Sequence, residues 1–417
     1  MRREVNGYMI TSTTSSLGST TSVTTTPAGS STTTTISTLT TTTSPTATTT
    51  EPPQPTWHTV VPSTGVSMFS GIIVAGLSCP TISLCVAVGR PNLDLSTGNS
   101  EIFVSNNFGS SWSATQYDNQ ILTSVSCLSA TTCIVVGNPY SKGVEYRTTD
   151  SGKTWQNLTL PSLFPDTVKI YCIYGSQTCY ETAQANSEPA NYNNFVGKST
   201  DAGLSWEMTY QPAAHDNLTA SDLSCLNVDD CMIVGSTATP TGIPGPGPGA
   251  PVNINNYEVY TTNGGVTWQS VQNMSNYGAA SAVGCTSSGN RCWVTIEYPQ
   301  YSNHPSSGVP ASPQVEQVQF SASNALQSDM PVVSNADTSS GSQEDFYACT
   351  TTECLFPTHT SIDAVSATSQ SSSSSITTNN LMSENSEIGA CVENGPQCLI
   401  LGATTNGTPQ SVEESFS

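Results

Sequence analysis

The sequence predicts an all-β chain built from a repeated four-stranded unit, with a Ser/Thr-rich tail ahead of it. Three observations predict it. The 14 cysteines fall into close pairs at regular intervals along the chain. A turn containing Asp or Asn, then Gly, and ending in Trp recurs between them. Residues from about 11 to 50 are almost all Ser and Thr.

The tail comes first. A composition so poor in large apolar residues cannot offset its ordering entropy by burial. Residues 1–52 are therefore expected to be a disordered tail or stalk, and residues 53–417 the folded part, with the boundary at Glu51-Pro52-Pro53. The start, MRREVNGYMI, has two arginines without an apolar run after them, so it reads as no recognisable secretory signal.

The cysteine pairs are Cys79/Cys85, Cys127/Cys133, Cys172/Cys179, Cys225/Cys231, Cys285/Cys292, Cys349/Cys354 and Cys391/Cys398. Successive pairs begin roughly 40 to 65 residues apart. Zinc ligation calls for shorter spacings and histidine or cysteine partners nearby. Local disulfides fit better, and they imply an oxidising compartment, extracellular or at a cell surface. Sequons at Asn157, Asn217, Asn273 and Asn406 agree with export.

Around the pairs the text repeats. LSCPTISLCVAVG, VSCLSATTCIVVG, LSCLNVDDCMIVG and GACVENGPQCLILG are one pattern, and IYCIYGSQTCYETA, VGCTSSGNRCWVTIE and YACTTTECLFP are looser copies. Apolar alternation, a polar turn between cysteines and a β-branched run describe a hairpin, strands a and b. A second element follows: SNNFGSSW, TTDSGKTW, STDAGLSW and TTNGGVTW. Its Asx residues (Asn107, Asp150, Asp201, Asn263) hydrogen-bond backbone two residues on. Its glycines (Gly109, Gly152, Gly203, Gly265) supply positive φ, and Trp112, Trp155, Trp206 and Trp268 are apolar plugs on the returning strand. That is a second hairpin, strands c and d. After Cys292 and Cys354 no credible box follows; Ser321-Ala322-Ser323-Asn324 is at best a ruin of one.

These boxes resemble the Asp-box, or BNR repeat, of sialidase-like β-propellers, a group that includes sortilin-type receptors, xyloglucanases and photosystem II assembly-factor propellers. The resemblance covers residues from about 57 to 417. It implies a single seven-bladed β-propeller with Asp-box repeats, one blade per cysteine pair; six or eight blades are the alternative. Ala403-Thr404-Thr405-Asn406-Gly407 reads as the first half of a box and Pro55-Thr56-Trp57 as the second half. The strand at Trp57 is therefore expected to complete the last blade, removing an exposed edge.

The same architecture puts the a–b and c–d turns on one face and the b–c and d–a connections on the other. Long insertions, Arg90 to Ser100, Glu181 to Asn194, Thr239 to Asn256 and Glu297 to Pro313, fall on the b–c side. Tyr140, Tyr192, Tyr257, Tyr298, Tyr301 and His304 are the candidate ligand contacts there, because Tyr offers rigid stacking area with a hydroxyl.

Composition narrows function by exclusion. The chain carries 30 acidic and 9 basic side chains, a formal net charge of -21. Too few cations remain for a nucleic-acid surface or a polybasic membrane surface, and no apolar run reaches the length of a spanning helix. A sialidase arginine cluster is not evident. Arg90, Arg147 and Arg291 are the only arginines beyond Arg2 and Arg3, and Arg291 is expected inside a Cys-to-Cys turn. Another glycosidase needs two convergent carboxylates; Asp118, Glu181, Asp216 and Asp222 are candidates on predicted b–c or d–a connections. The histidines are isolated, and no phosphate loop or nucleophile elbow occurs, so neither cofactor nor metal is expected. The reading is an exported, monomeric, non-catalytic propeller that binds a glycan or protein. A carbohydrate-active enzyme at the propeller mouth is the alternative, and an assembly factor docking on a protein complex the third.

Overall fold

The computed structural model describes residues 56–60, 72–91, 99–137, 143–158, 166–184, 194–211, 218–240, 252–271, 278–286, 290–297, 314–319, 327–333, 348–351, 353–357, 361–366, 372–377, 388–393, 395, 397–403 and 409–415. The chain divides into two units, Met1–Glu51 and Pro52–Ser417. The first unit, and with it the expected disordered tail, lies outside the described residues.

The described residues of the second unit are all-β. They form seven four-stranded antiparallel sheets. In chain order, β1 (Thr56–Val60) precedes sheet 1, which is β2 (Ile72–Thr81), β3 (Leu84–Pro91), β4 (Ser100–Ser105) and β5 (Ser113–Tyr117). Sheet 2 is β6 (Leu122–Cys127), β7 (Cys133–Gly137), β8 (Val144–Thr148) and β9 (Gln156–Leu158). Sheet 3 is β10 (Asp166–Cys172), β11 (Cys179–Gln184), β12 (Asn194–Ser199) and β13 (Glu207–Tyr210). Sheet 4 is β14 (Leu218–Cys225), β15 (Cys231–Pro240), β16 (Val252–Thr261) and β17 (Gln269–Ser270). Sheet 5 is β18 (Ala279–Thr286), β19 (Arg291–Glu297), β20 (Gln314–Gln319) and β21 (Gln327–Val333). Sheet 6 is β22 (Ala348–Cys349), β23 (Glu353–Pro357), β24 (Ser361–Ser366) and β25 (Ser372–Thr377). Sheet 7 takes β26 (Ile388–Cys391), β27 (Gln397–Ala403) and β28 (Pro409–Ser415), and its fourth strand is β1.

The pairing of Trp57 with Glu414 places the N-terminal strand where the sequence expects it. The half-box reading of 403–407 is corrected. That segment connects β27 to β28, because the residues after it supply the third strand of sheet 7 rather than a turn after that strand.

The first strands of successive sheets touch in turn: β2 with β6, β6 with β10, β10 with β14, β14 with β18, β18 with β22, β22 with β26, and β26 with β2. Apolar cores lie between neighbouring sheets. Val86, Val88 and Ile102 of sheet 1 pack with Leu122, Val135 and Tyr146 of sheet 2, and Leu77 and Phe103 of sheet 1 pack with Leu399 and Leu401 of sheet 7.

All seven cysteine pairs are disulfides across the first hairpin: Cys79–Cys85, Cys127–Cys133, Cys172–Cys179, Cys225–Cys231, Cys285–Cys292, Cys349–Cys354 and Cys391–Cys398. Cys85, Cys292, Cys354 and Cys398 depart from the expectation that the whole Cys-to-Cys segment is turn. Their strands begin one residue earlier, at Leu84, Arg291, Glu353 and Gln397, so Arg291 is corrected from turn to strand. The reason is backbone pairing beyond the disulfide. Arg291 pairs with Thr286, and the Thr350 amide donates to the Glu353 carbonyl at 2.8 Å. Cys292 then pairs with Val318 of β20 and Cys354 with Val365 of β24, both cysteines fully buried. The second hairpin also forms after these two cysteines, where the sequence shows no box: β20 pairs β21 and β24 pairs β25. Their connections, including 321–324, lie outside the described residues.

The four Asx-Gly turns share one hydrogen-bond pattern. In the second, Thr148 Oγ1 donates to Asp150 at 2.8 Å, while the Thr154 amide (2.9 Å) and hydroxyl (2.6 Å) donate to the Asp150 carboxylate. Gly152 N–H donates to Thr148 Oγ1 at 3.0 Å. Ser105/Asn107/Gly109/Ser111, Ser199/Asp201/Gly203/Ser205 and Thr261/Asn263/Gly265/Thr267 repeat it, except that the Ser111 and Thr267 hydroxyls accept from the Asn107 and Asn263 side-chain amides. The glycine has positive φ in each, 82, 79, 83 and 83°, and it abuts the preceding sheet. A Cβ on Gly152 would meet Val104 at 2.8 Å, and one on Gly203 would meet Ile134 at 2.6 Å. Glycine is thus required twice, for conformation and for space.

Candidate functional site

The first strands carry the site. Each has one edge toward the middle of the ring of contacts, where its N–H groups would lack a ladder partner. The preceding sheet supplies acceptors instead. Ser124 and Ser126 of β6 accept from the Ile170 and Cys172 amides of β10 at 3.3 and 2.8 Å. Asp222 and Ser224 of β14 accept from the Val283 and Cys285 amides of β18 at 3.0 and 3.2 Å. These acceptors stand three and one residues before the first cysteine of their hairpin. A register shift just upstream in β2, β6, β10, β14 and β18 sets the phase of those positions.

The same positions line a cavity of about 500 Å³ that touches all seven first strands and runs to the a–b turns. Around it lie Gly76, Ser78, Ser124, Ser126, Gly284, Ala348 and Ala390, small residues that leave space. Against them stand Lys169 and Tyr171 of β10, Asp222 of β14, Tyr174 of the β10–β11 turn and Glu393 of the β26–β27 turn. Tyr171 donates its hydroxyl to the Cys225 carbonyl at 3.2 Å. Burial pushes its phenol up, and the Glu393 charge adds to this. Burial also raises the Asp222 carboxyl, while Lys169 and the Val283 and Leu223 amides oppose the shift. Glu393 is reached by solvent yet surrounded by protein, and that desolvation raises it to about 6. The second cysteines stay out of this site. Cys292, for one, is buried with Val294 and Val318 in the core between sheets 4 and 5.

The expected loop-face contacts Tyr140, Tyr192, Tyr298, Tyr301 and His304 lie outside the described residues. Tyr257 lies in β16, half-buried, with its hydroxyl against that of Tyr210 and its ring packed on the core between sheets 3 and 4. Of the carboxylate candidates, Asp118 is exposed in the turn after β5, and Asp216 lies outside the described residues. Glu181 is no loop residue: β11 runs on to Gln184 and buries it completely. Asp222 alone reaches the cavity. Sequence reasoning missed Lys169, Tyr171 and Glu393. The signal was available. Aligning the hairpins on their first cysteine gives Gly76, Ser124, Lys169, Asp222, Ala282, Phe346 and Ile388 in one column, and two opposite charges stand out in it.

A second buried carboxylate lies between sheets 2 and 3. Glu145 of β8 accepts from the Trp206 indole N–H at 3.0 Å, while its other oxygen, buried, has no hydrogen-bond partner. Burial raises it to about 8, against the opposing effects of Trp206 and Arg147. Among the described residues no group of His, Cys, Asp and Glu is arranged to hold a metal, and no helix is long and apolar enough to cross a membrane.

No protein-family model matches the chain, and no curated protein matches it. Solved structures do. YCF48 bound to D1 peptide matches with a TM-score of 0.52 at 12% identity, over 87% of this chain and 97% of that one. The RRP9 WD40 repeats match at 0.53 and 8%, over 87% and 97%. U3-55K matches at 0.52 and 8%, over 86% and 98%. At such identities the likeness is one of fold, and the fold is that of the β-propellers.

Proposed function

We propose that this chain is an exported seven-bladed β-propeller, its four Asx-Gly turns Asp-box repeats, that binds a ligand between its inner strands without catalysing a reaction. Residues 1–52 serve as its stalk and 53–417 as the ring. The observation that carries the binding reading is the cavity of about 500 Å³ with charged and phenolic groups set among small residues, the make-up of a ligand pocket. The disulfides support export. Asp222 and Tyr171, which a hydrolase would need free, are engaged by Val283 and Cys225.

The test is a thermal-shift panel of glycans, peptides and small charged molecules on the full chain, repeated with Thr351→Trp. Thr351 is exposed and lines the cavity from the β22–β23 turn, so Trp there fills the opening. Ligand-dependent stabilisation lost in T351W supports the reading; ligands indifferent to T351W overturn it. The enzyme reading has one specific support, the placement of Asp222 and a Glu393 raised to about 6 in the same cavity. Turnover of aryl glycosides that disappears in Glu393→Gln would establish it in place of binding alone.

A further inference from the structure

We infer that the cavity's a–b-turn end recognises an alkylammonium group, with Glu393 as its counter-ion and the Tyr171 and Tyr174 rings as its wall. The inference rests on the binding reading above and names the ligand class.

Charge within the cavity is unequal. Lys169 and Asp222 stand at the same level on adjacent first strands and act on each other electrostatically. Glu393 is left over. It comes from sheet 7, whose β26 is separated from β10 by at least two intervening first strands in either direction around the ring, yet its charge acts on the Tyr171 phenol. Glu393 and Tyr171 therefore belong to different sheets and line the same cavity. A carboxylate sharing a cavity with phenol rings suits an organic cation, which pairs with the first and lies against the second. An anion would meet Glu393 with nothing but Lys169, already balanced. A neutral sugar would bring no counter-charge to the desolvated Glu393 carboxylate.

The rim agrees. On the a–b and c–d turns the described acidic residues are Asp150, Asp201, Asp229, Asp230 and Glu393, and Glu353 opens the strand next to its turn. The described cations near them are Lys153, Lys198 and Arg291, and the Lys198 ammonium is held by the Gly264 carbonyl at 2.6 Å. Such a field draws cations to this end.

The source of the ammonium is either a free amine or a lysine side chain, so both are probed. Calorimetric titration of the full chain with cadaverine and with Nα-acetyl-lysine amide is run at pH 7.5 and pH 4.5. The variants are Glu393→Gln, Thr351→Trp and Asp118→Asn, the last in an exposed turn after β5. We expect binding at pH 7.5 that weakens at least tenfold at pH 4.5, where Glu393 is protonated. It weakens at least tenfold in E393Q and T351W and is unchanged in D118N, with unfolding midpoints of all variants checked first. Preference for cadaverine identifies free amines, and preference for the lysine derivative identifies a protein side chain. Loss in T351W with E393Q unaffected overturns the ammonium assignment and leaves cavity binding standing. Equal weakening in D118N and E393Q means general attraction to a chain of net charge -21 and overturns it too. No binding of either amine, with other panel ligands still lost in T351W, refutes the ligand class alone. Indifference of every ligand to T351W removes both readings.

Discussion

At the scale of single residues, two kinds of position are constrained by space and solvation rather than by side-chain chemistry. The first is the glycine that closes the Val-Gly step after the second cysteine. A Cβ on Gly137 would lie 2.1 Å from the Ile121 carbonyl oxygen, and one on Gly235 would lie 2.0 Å from that of Thr219. Both contacts are with backbone, which cannot swing away. Gly137→Ala is expected to cost about 2 kcal/mol or more, read as a lowered urea midpoint at unchanged m-value. The second is Glu145. Its folded value of about 8 lies above the ordinary 4.5, so folding favours the protonated acid. Its penalty is absent below about pH 4.5, grows as pH rises, and levels off above about 8. The slope is at most about 1.4 kcal/mol per pH unit. Glu145→Gln keeps an acceptor for Trp206 and never ionises. It should raise the melting temperature at pH 8 and leave it unchanged near pH 4, which thermal denaturation at the two pH values would decide.

At the scale of elements, legibility followed locality. The a–b hairpin and the Asx-Gly turn each lie within about a dozen contiguous residues, and every partner they need is in the same stretch, as Asp150 with Thr148 and Thr154 illustrates. Both could be read directly. The cavity could not, because Lys169, Asp222 and Glu393 come from three sheets and converge only when the ring of first strands assembles. Extent of strands was also hard to read: β11 and β16 run further than turn chemistry suggests, which moved Glu181 and Tyr257 from loops into sheets. The ladders ahead of Cys292 and Cys354 did the same for Arg291 and Glu353 on a smaller scale. The disulfides are local in the same sense. Cys225 and Cys231 are 6 residues apart, so each bond restricts a small loop and stabilises by about 2 kcal/mol in the chain-entropy model. Cys225→Ala with Cys231→Ala should lower the unfolding free energy from chemical denaturation by that increment while far-ultraviolet circular dichroism stays the same; loss of fold would show that the bonds do more than clip hairpins.

At the scale of the whole molecule, most described carboxylates that depart from their ordinary values lean one way. Burial raises Glu101, Glu145, Asp222, Glu353 and Glu393, and each such group destabilises the fold as pH climbs past its unfolded value. Asp150 and Asp201 oppose them: hydrogen bonds from the Thr154 side chain and amide hold Asp150 at about 2, and its stabilisation is lost as pH falls from 3.8 through that value. The two trends place the stability maximum near pH 4 to 5, and a series of melting temperatures from pH 3 to 8 would locate it; a maximum at pH 7 or above would contradict the burial of these carboxylates. Sheet 7 carries a different consequence. Its outer strand β1 is made some 350 residues before its partner β28, a wait on the order of tens of seconds at ribosomal rates. Throughout that interval six hairpin pairs can form while the first-made strand has nowhere to dock. Sheet 7 is therefore the one described sheet that local pairing cannot complete, because β1 and β28 must find each other across all the chain between them.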